Sequence, residues 1–451
     1  MRGSSPVLRG GRILVVGTTP DYVEWIRRAW PGRALFLTDP DLRRGAGEPC
    51  PSPWEEILCP VGADCIHGVR QALGVHLEQW GQTITGIACF DCESMETAAL
   101  VAAGLSLAYP SVQAVRKSRD KLRCKKIWQN NGVSCPRSIQ VDSPDQVMAF
   151  MAGIAGMTSM DGMSNVTGMN EGIVLKPCWG SGSELVFCCT TDEECERSFK
   201  ILEQGLAQRS TNPLFGGNAS RDDLITAEEF IRGTEFSCDF VVENNAVTIV
   251  RTTRKIKAVG TPFGTILGYQ IPAFPLTVPG MGPAFDELED LLLRGAAALG
   301  IERGICMVDF IVKDGKPVLI EMTPRPGGDC LPFLLVESGS LDILGLTLDF
   351  AEKKSLTLSG PDGFKPSMAV RIFAPKGGIL KRIDPSRLQS RSDIKKIHFT
   401  RKPGHRITMP PGDYDSWLLG HVIVELPHDF QGHFIDEFCL GVSSLVRIEM
   451  E

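Results

Sequence analysis

Two acidic residues, Asp309 and Glu321, interrupt apolar stretches on either side of a Lys-Asp-Gly turn signal. Side chains alternate between the two faces of a strand, so the length of the turn decides whether the carboxylates share a face. A two-residue loop would put Ile320 opposite Asp309. A three-residue loop over 313–315, with Gly315 left-handed, would put both carboxylates on one face. We predict the three-residue loop.

Two carboxylates on one face of neighbouring strands repel each other unless a cation lies between them. A hard divalent ion such as Mg²⁺, held by one or two carboxylates and by substrate phosphates, meets that need. The alternative is that either acid caps the hairpin at the surface. Apolar neighbours such as Val308 and Phe310 favour the metal site. The pattern therefore predicts metal-assisted chemistry on a phosphorylated ligand.

A lysine and a glycine-serine turn indicate where such phosphates bind. Lys176 ends the apolar stretch GIVLKP, and Gly180, Ser181, Gly182 and Ser183 follow. Glycines let backbone N–H groups approach phosphate oxygens, and a lysine supplies a point charge for the same anion. No Gly-Lys-Ser/Thr closes the turn, so the pattern is not a P-loop. The alternative is an ordinary hairpin.

The stretch AEEFIRGTEFS offers contacts of another kind. Extended backbone at Phe230 and Ile231 can present N–H and C=O groups to the edge of a base, and Glu235 can accept hydrogen bonds from ribose hydroxyls. The alternative is a pair of solvated strand ends. The first interpretation predicts a nucleotide beside the glycine-serine turn.

The elements that carry these residues follow a region of alternating strands and helices. RILVVG, RALFLTD and ITGIACFD predict strands, and PDYVEWIRRAW and SMETAALVAAGL predict helices. This βαβ rhythm predicts a parallel sheet with ligands at the carboxyl ends of its strands. No G-x-G-x-x-G motif follows the first strand, so a nicotinamide site is not favoured.

Further along, RKSRDKLRCKKIWQNNGVSCP predicts one basic helix that ends at Asn131-Gly132, and residues 155–170 predict a loop rich in Gly, Ser and Met. Asn244-Asn245 predicts a hairpin turn. FDELEDLLLRGAAALG predicts a helix that ends at Gly300. The C-terminal stretch HFIDEFCLGVSSLVRIEM predicts a helix and a last strand.

Composition excludes several classes of protein. The 451 residues carry 47 basic and 54 acidic side chains, a net charge of −7, whereas a nucleic-acid-binding protein would be basic. The sequence contains no apolar run of about 18 residues, so no membrane span is predicted. The N-terminal apolar run predicts a strand rather than a signal peptide. Fifteen cysteines predict reduced thiols and a cytoplasmic location. Cys89 and Cys92 form a C-x-x-C, for which packing is favoured over a metal or redox role.

The order of five motifs resembles that of the ATP-grasp superfamily over about residues 12 to 340. The motifs are SRDK, VLKP with its glycine-serine loop, EEFIRGTEFS, VDF and IEMTPRPGG. The resemblance is to its carboxylate–amine ligases, with kinship to D-alanine–D-alanine ligases and to biotin carboxylase, whose E-M-N-x-R nearly matches EMTPR. It implies an α/β chain with the ATP-grasp fold and four parts. These are an N-terminal Rossmann-like domain (1–115), a small α+β lid domain (116–230), a larger α+β domain with the metal and catalytic site (231–365) and a C-terminal α+β extension packed on it (366–451).

The resemblance also implies roles for individual residues. The two lysines that contact ATP phosphates are matched by Lys121 and Lys176, and the loop that closes over them by Gly180 to Ser183. The adenine hinge is matched by Glu228, Glu229, Phe230 and Ile231, and the ribose acid by Glu235. The Mg²⁺ ligands, with Mn²⁺ as an alternative ion, are matched by Asp309, Glu321 and Thr323.

Two positions depart from the family pattern. Thr323 stands where relatives usually have Asn, which leaves open whether one or two metals bind. Met307 stands where some relatives carry an arginine. The missing charge would come from a nearby basic residue: Arg325, Arg251, Arg254 or Lys255. The predicted catalytic set is Arg325, Lys176 and Arg254.

The implied function is an ATP-dependent ligase that forms an amide or peptide bond through an acyl phosphate, with amino acids or small peptides as substrates. Arg325, held between two prolines, would present fixed donors to the carboxylate that is phosphorylated. Gly327 and Gly328 are expected beside the substrate. Glu93 is a candidate for its ammonium group, although a helix N-terminal acid is the simpler explanation.

Two alternatives stay open. One is a carboxylase or ligase like biotin carboxylase or the enzymes of purine synthesis, which EMTPR supports; the other is a nucleotide-binding module with an inactive metal site, which Thr323 supports. The expected partners are small-molecule carboxylates and amines, alternatively a peptide. Neither nucleic acid nor a membrane is expected, and a homodimer is the alternative to a monomer.

Overall fold

The computed structural model describes residues 10–160, 172–210, 212–215, 225–257, 260–271, 282–356, 363–427, 430 and 434–451. Its N-terminal part contains β1 (Gly10–Val16), α1 (Pro20–Ala29), β2 (Ala34–Thr38), α2 (Pro40–Gly45), β3 (Glu56–Leu58), α3 (Ile66–Trp80), β4 (Gln82–Ala88) and α4 (Met95–Gly104). The strands form a parallel sheet in the order β3-β2-β1-β4. The predicted βαβ region is confirmed.

Two helices, α5 (Val112–Arg119) and α6 (Lys121–Asn130), follow, so the prediction of one basic helix is wrong. The break is at Asp120, whose backbone is extended and whose carboxylate accepts the N–H of Arg123 at 2.9 Å. An aspartate favours the N-cap because it satisfies a free N–H group of the first turn. The predicted end at Asn131-Gly132 is confirmed, with Gly132 left-handed at φ +66°.

A small antiparallel sheet follows. Its elements are β5 (Ser138–Gln140), α7 (Pro144–Met160), β6 (Ile173–Pro177), β7 (Phe187–Cys189), α8 (Asp192–Gln208) and β8 (Ile225–Glu229), with strand order β5-β8-β6-β7. The loop predicted over 155–170 is wrong for 155–160, which continue α7, because Val147, Met151 and Ile154 bury one face of that helix. Residues 161–170 lie outside the described residues.

A large antiparallel sheet of eight strands occupies most of the remaining chain, in the order β13-β12-β9-β10-β11-β14-β18-β16. The elements are β9 (Thr234–Glu243), β10 (Ala246–Ile256), β11 (Gly268–Ile271), α9 (Gly282–Leu299), β12 (Gly304–Lys313), β13 (Lys316–Thr323), α10 (Leu331–Gly339), α11 (Ile343–Ala351), β14 (Ser367–Phe373), β15 (Gly378–Asp384), α12 (Ser386–Gln389), β16 (Ile394–Phe399), β17 (Arg406–Ile407), β18 (Leu418–Glu425), α13 (Ile435–Ser444) and β19 (Arg447–Met450). A separate three-stranded sheet has the order β17-β15-β19. The large sheet contains strands from both sides of the boundary predicted between residues 365 and 366, and the four domain ranges stay predictions.

The two faces of the large sheet have different roles. One face packs on α6 and α9 through a buried apolar cluster that includes Phe236, Phe310 and Leu319. The opposite face carries Asp309 and Glu321 near one end. Farther along, it packs against α1, α10 and α11 through a second apolar cluster. The carboxylates Asp309 and Glu321 therefore lie on the face of these strands opposite to the one that packs on α9.

The β12–β13 hairpin pairs Asp309 with Glu321, as predicted, but by a different route. The loop has two residues, Asp314 and Gly315, both left-handed, so the predicted three-residue loop is wrong. A bulge at Ile320 then shifts the register by one residue. The bulge supplies the extra residue that we placed in the turn.

Two further observations concern the cysteines and possible membrane-spanning helices. All fifteen cysteines have free thiols. Among the described residues, no single helix is long and apolar enough to cross a membrane; α10 and α11 meet the length and composition criteria only as a pair bent by 103°.

Candidate functional site

A cavity of about 680 Å³ lies where the small sheet faces the polar end of the large sheet. Thirteen of the predicted residues line it: Lys121, Lys176, Gly180, Ser181, Gly182, Ser183, Glu228, Glu229, Phe230, Ile231, Glu235, Asp309 and Glu321. Lys255, Lys257 and Phe263 also contribute to the wall. The volume suits a ligand of nucleotide size.

The facing carboxylates form the acidic end of this cavity. Burial and the nearby Glu321 raise the pKa of Asp309 to about 6. Burial acts the same way on Glu321, but Lys121 and Lys176 outweigh it and lower the pKa of that carboxyl. The Oδ1 atom of Asp309 is buried and has no hydrogen-bond partner. A free buried oxygen opposite a second carboxylate fits a divalent cation, so Asp309 and Glu321 would hold Mg²⁺.

No group of three or more His, Cys, Asp or Glu suited to a metal occurs in the described part of the chain. A Mg²⁺ site with two carboxylates and substrate phosphates does not need one. Thr323 is on the same face of β13 as Glu321, and its buried hydroxyl has no hydrogen-bond partner. It does not line the cavity.

Among the predicted basic candidates, Lys255 contacts both Asp309 and Glu235. Its ammonium group is 2.5 Å from Asp309 Oδ2 and 2.9 Å from Glu235 Oε1. Arg254 is paired with Phe236 in the β-ladder and lies on the opposite, apolar face, so the structure does not bring it to the site as predicted. Of the four basic candidates, the geometry favours Lys255 beside the metal ligands.

Glu235 has cationic neighbours on both sides, because Lys257 also donates to its carboxylate. Burial opposes this charge, but Lys255 and Lys257 outweigh it and lower the pKa of Glu235 to about 2. The carboxylate is therefore ionised and can accept hydrogen bonds from ribose hydroxyls, as predicted for this position. Phe263 lies near Phe230, with ring centroids 6.2 Å apart, and adds an aromatic wall.

The two predicted phosphate lysines lie on the other side of the cavity. Lys121 begins α6 and donates to the carbonyl of Gly180 at 2.7 Å, which connects it to the glycine-serine loop. Lys176 is buried near the end of β6 and lies 2.8 Å from Glu228 Oε2. In that loop Gly180, Gly182 and Ser183 have positive φ angles, a conformation that glycine adopts readily.

Glu228 and Glu229 use their side chains within the protein. Glu228 is 2% exposed and lies between Lys176 and Lys125; burial opposes its charge, but the lysines lower the pKa of its carboxyl. Glu229 accepts from Arg137 at 3.1 Å. Both residues, together with Phe230 and Ile231, line the cavity. The acids of this hinge thus position lysine and arginine side chains.

Comparisons with known proteins agree with this geometry. A family model described as an ATP-grasp domain matches residues 169–332. The D-alanine–D-alanine ligase of Aromatoleum aromaticum is 28% identical over 250 residues, which cover 54% of this chain and 69% of that protein. The chain spans less than half the length of three further curated relatives.

Solved structures resemble the whole chain. An L-amino acid ligase from Bacillus licheniformis has a TM-score of 0.70 at 17% identity, covering 98% of this chain and 99% of that one. The biotin carboxylase domain of a 2-oxoglutarate carboxylase from Hydrogenobacter thermophilus has a TM-score of 0.64 at 16% identity, covering 97% and 90%.

Residues 169–332 therefore match an ATP-grasp domain. The predicted fold class is confirmed, and so is the prediction of an ATP-dependent ligase at the level of the family. The proteins that the chain is similar to include both ligases and carboxylases, so its substrates are a separate question.

Other predicted residues lie beyond this cavity. Arg325 follows β13 and points to the N-terminal domain, where its guanidinium lies 2.9 and 3.1 Å from the sulfur of Cys92. Burial and Glu93 raise the pKa of Asp91, beside Cys92, to about 6. Glu93 itself is exposed. The structure thus places Arg325 and the carboxylates of the N-terminal domain near one another.

The loop that carries Arg325 is anchored by a buried ion pair. The N–H of Gly327 donates to Asp239 Oδ1 at 2.9 Å, and Asp239 pairs with Arg251 at 2.7 Å with both side chains fully buried. A Cβ atom on Gly327 would lie 2.4 Å from the Arg251 guanidinium, so this position needs glycine. Gly328, the other predicted glycine, is near Arg325 Nη1.

Sequence reasoning missed Lys125, Asp239 and the contact of Cys92 with Arg325. Lys125 had a usable signal, because it is four residues after Lys121 and such residues share a helix face. Asp239 and Arg251 lie on hairpin strands whose turn was predicted, but regular pairing from that turn would put Val250 opposite Asp239, and only the irregularity between Ile249 and Arg251 creates the pair. No sequence signal indicated the Cys92 contact, since it joins residues that are distant along the chain.

Proposed function

We propose that this chain forms an amide or peptide bond between a carboxylate and an amine through an acyl phosphate, with amino acids or small peptides as substrates. One observation carries the proposal: Asp309 and Glu321 face each other in the same cavity as Lys121 and Lys176. The strand that carries Glu321 then leads directly to Arg325, outside the nucleotide cavity. A phosphate donor and an anionic acceptor can therefore meet at the end of β13.

Different residues would bind the phosphates and the metal ion. Lys121, Lys176 and the N–H groups of the glycine-serine loop bind the triphosphate and hold the γ-phosphate in place. Asp309 and Glu321 hold Mg²⁺, which when bound neutralises charge on the phosphates. Lys176 and Asp309 are buried and already in place, so they stabilise developing charge without rearrangement.

The chemistry has two steps. A carboxylate oxygen of the first substrate bonds to the γ-phosphorus while the bond between that phosphorus and the bridging oxygen breaks, which leaves an acyl phosphate and ADP. The amine of the second substrate then bonds to the acyl carbon, loses a proton and expels phosphate. Arg325 orients the carboxylate and the acyl phosphate with planar paired donors.

A trapping experiment tests this order of events. With ATP and each single carboxylate from a panel of amino acids and small peptides, hydroxylamine should convert the acyl phosphate to a hydroxamate. With an amine present, ADP release should require both substrates. Glu321→Gln is the matched control and should give neither product. ADP release that needs the amine but yields no hydroxamate for any carboxylate would contradict the proposed intermediate.

The alternative of a carboxylase is supported by EMTPR and by the similarity to a biotin carboxylase domain. Bicarbonate-dependent ADP release without an amine would favour it. The alternative of an inactive module is supported by Thr323, and ATP binding without turnover for every pair would favour it. A homodimer and a cytoplasmic location stay predictions; light scattering and fractionation of cells that express the chain test them.

A further inference from the structure

Helix α6 directs two lysines toward the site, and only the first belongs to the nucleotide cavity. Lys121 and Lys125 are four residues apart and share a helix face. Lys125 is fully buried, and its ammonium group has two polar neighbours. It lies 3.5 Å from Glu228 Oε1 and donates a hydrogen bond to the carbonyl of Ile320.

Ile320 is the bulge residue that brings Glu321 opposite Asp309. The extra residue of a bulge has no partner in the ladder, and a buried carbonyl without a donor is costly. Lys125 supplies that donor from outside the sheet. If the bulge were lost, Ile320 would pair with Asp309, and the Glu321 side chain would turn to the opposite face.

Lys125 is itself firmly placed. Its ammonium lies 5.6 Å from the centroid of the Trp128 ring, and the Trp128 indole donates to the carbonyl of Gly295 at 3.0 Å. The lysine is thus fixed between α6, α9 and β13. Glu228 already has Lys176 at 2.8 Å, so its carboxylate does not depend on Lys125 alone for a partner.

We propose that Lys125 is a positioning residue of the metal site, which holds the bulge at Ile320 so that Glu321 faces Asp309. It touches neither the nucleotide nor the metal. The inference rests on the proposed function, because it takes Asp309 and Glu321 as the metal ligands. Its consequence is that metal affinity depends on a side chain outside the cavity.

Metal binding tests the inference without any turnover. Mn²⁺ is titrated, together with an equimolar non-hydrolysable ATP analogue that supplies the phosphate ligands, into the wild type, Lys125→Met and the control Lys126→Met, which changes an exposed lysine of the same helix. Free and protein-bound Mn²⁺ are followed by electron paramagnetic resonance. Lys125→Met should weaken Mn²⁺ binding by about tenfold or more, as expected for a side chain that orients a ligand. Lys126→Met should bind as the wild type does. Equal affinity in Lys125→Met and Lys126→Met would overturn the inference.

A second pair of variants separates positioning from charge balance. If Lys125 only neutralises Glu228, then Lys125→Met/Glu228→Gln should bind Mn²⁺ as Glu228→Gln does, and the inference falls. If Lys125 holds the bulge, the double variant should stay weaker than Glu228→Gln. This variant also keeps the test usable if Lys125→Met alone does not fold, because it removes the carboxylate charge that Lys125 helps to balance.

Hydrogen exchange reads the bulge directly. Peptides that cover 304–323 should exchange faster in Lys125→Met than in Lys126→Met, whereas peptides from β1 and β2 should be unchanged. Equal exchange rates of the 304–323 peptides in Lys125→Met and Lys126→Met would contradict the role of Lys125. Failure of the wild type to bind Mn²⁺ would instead remove the proposed metal site, so the two ideas fail separately.

Discussion

The buried pair between Asp239 and Arg251 makes a quantitative prediction. Asp239→Asn keeps the shape of the side chain but removes its charge. The two side chains meet through two contacts, at 2.7 and 3.1 Å, and neither is exposed. At such a distance two unit charges attract by about 5 kcal/mol with an effective dielectric constant near 20. We expect Asp239→Asn to lower the free energy of unfolding by about 3–5 kcal/mol, because the arginine is left buried and unpaired.

The matched control is an exposed pair of the same kind. Arg294 and Asp290 are 2.8 Å apart on α9, with side chains 45% and 64% exposed. Asp290→Asn should cost less than about 0.5 kcal/mol, since water screens such pairs. Urea unfolding followed by tryptophan fluorescence and circular dichroism compares the two variants. Equal midpoints for Asp239→Asn and Asp290→Asn would refute the reasoning.

A double-mutant cycle extends the test to coupling. Arg251→Met should be destabilising too, because it leaves Asp239 unpaired and removes donors to the carbonyl of Ser237 and the hydroxyl of Thr253. The double variant should cost less than the sum of the two single changes by about 2–3 kcal/mol, the upper part of the range for residues in one network. Additive effects would show that the two charges do not depend on each other.

Three further predictions concern the site and the acid response. Glu321→Gln should abolish ADP release while the melting temperature stays near that of the wild type; unchanged turnover would reject the metal role. Arg325→Ala should lower kcat by about 10² or more with little change in KM for ATP, as expected for a group that acts in the transition state, and equal changes in both would contradict its place. Burial and the neighbouring His398 lower the pKa of His421 to about 3. In the unfolded chain His421 binds a proton at a higher pH than in the folded protein. The free energy of unfolding of the wild type should therefore fall by about 2 kcal/mol between pH 7 and pH 5, and that of His421→Leu should not show this loss. Equal shifts of the urea midpoint in both proteins would disprove this.

Local patterns predicted the elements well where one sequence signal dominates. The Asn244-Asn245 turn has both residues left-handed, as a two-residue hairpin requires. The strand and helix order of the first region follows from apolar runs and was also confirmed. These features depend on neighbours along the chain, and so a single sequence contains the information needed to predict them.

Contacts between distant elements were harder to predict. The break at Asp120 follows from a capping carboxylate within a continuous helical pattern, where helix propensity and capping compete. The contact of Arg325 with Cys92 depends on how the N-terminal sheet meets the large sheet. Tertiary arrangement decides such contacts, and neither periodicity nor spacing reports it.

Two bulges explain both the correct and the wrong parts of the predicted site. Regular pairing from the Asn244-Asn245 turn would place Arg254 opposite Glu235, but the irregularity between Ile249 and Arg251 moves Lys255 to that position. In the neighbouring hairpin, the bulge at Ile320 moves Glu321 opposite Asp309.

Both register shifts bring a partner to the carboxylate of Asp309. Without them, Lys255 and Glu321 would point to the apolar face that packs on α9, and Asp309 would have neither partner on its own face. Each bulge disrupts the ladder locally, yet together they gather a cation and two carboxylates that regular strands would separate. The geometry of the proposed metal site therefore depends on departures from regular pairing, and the buried Lys125 donates a hydrogen bond to the bulge residue of one of them.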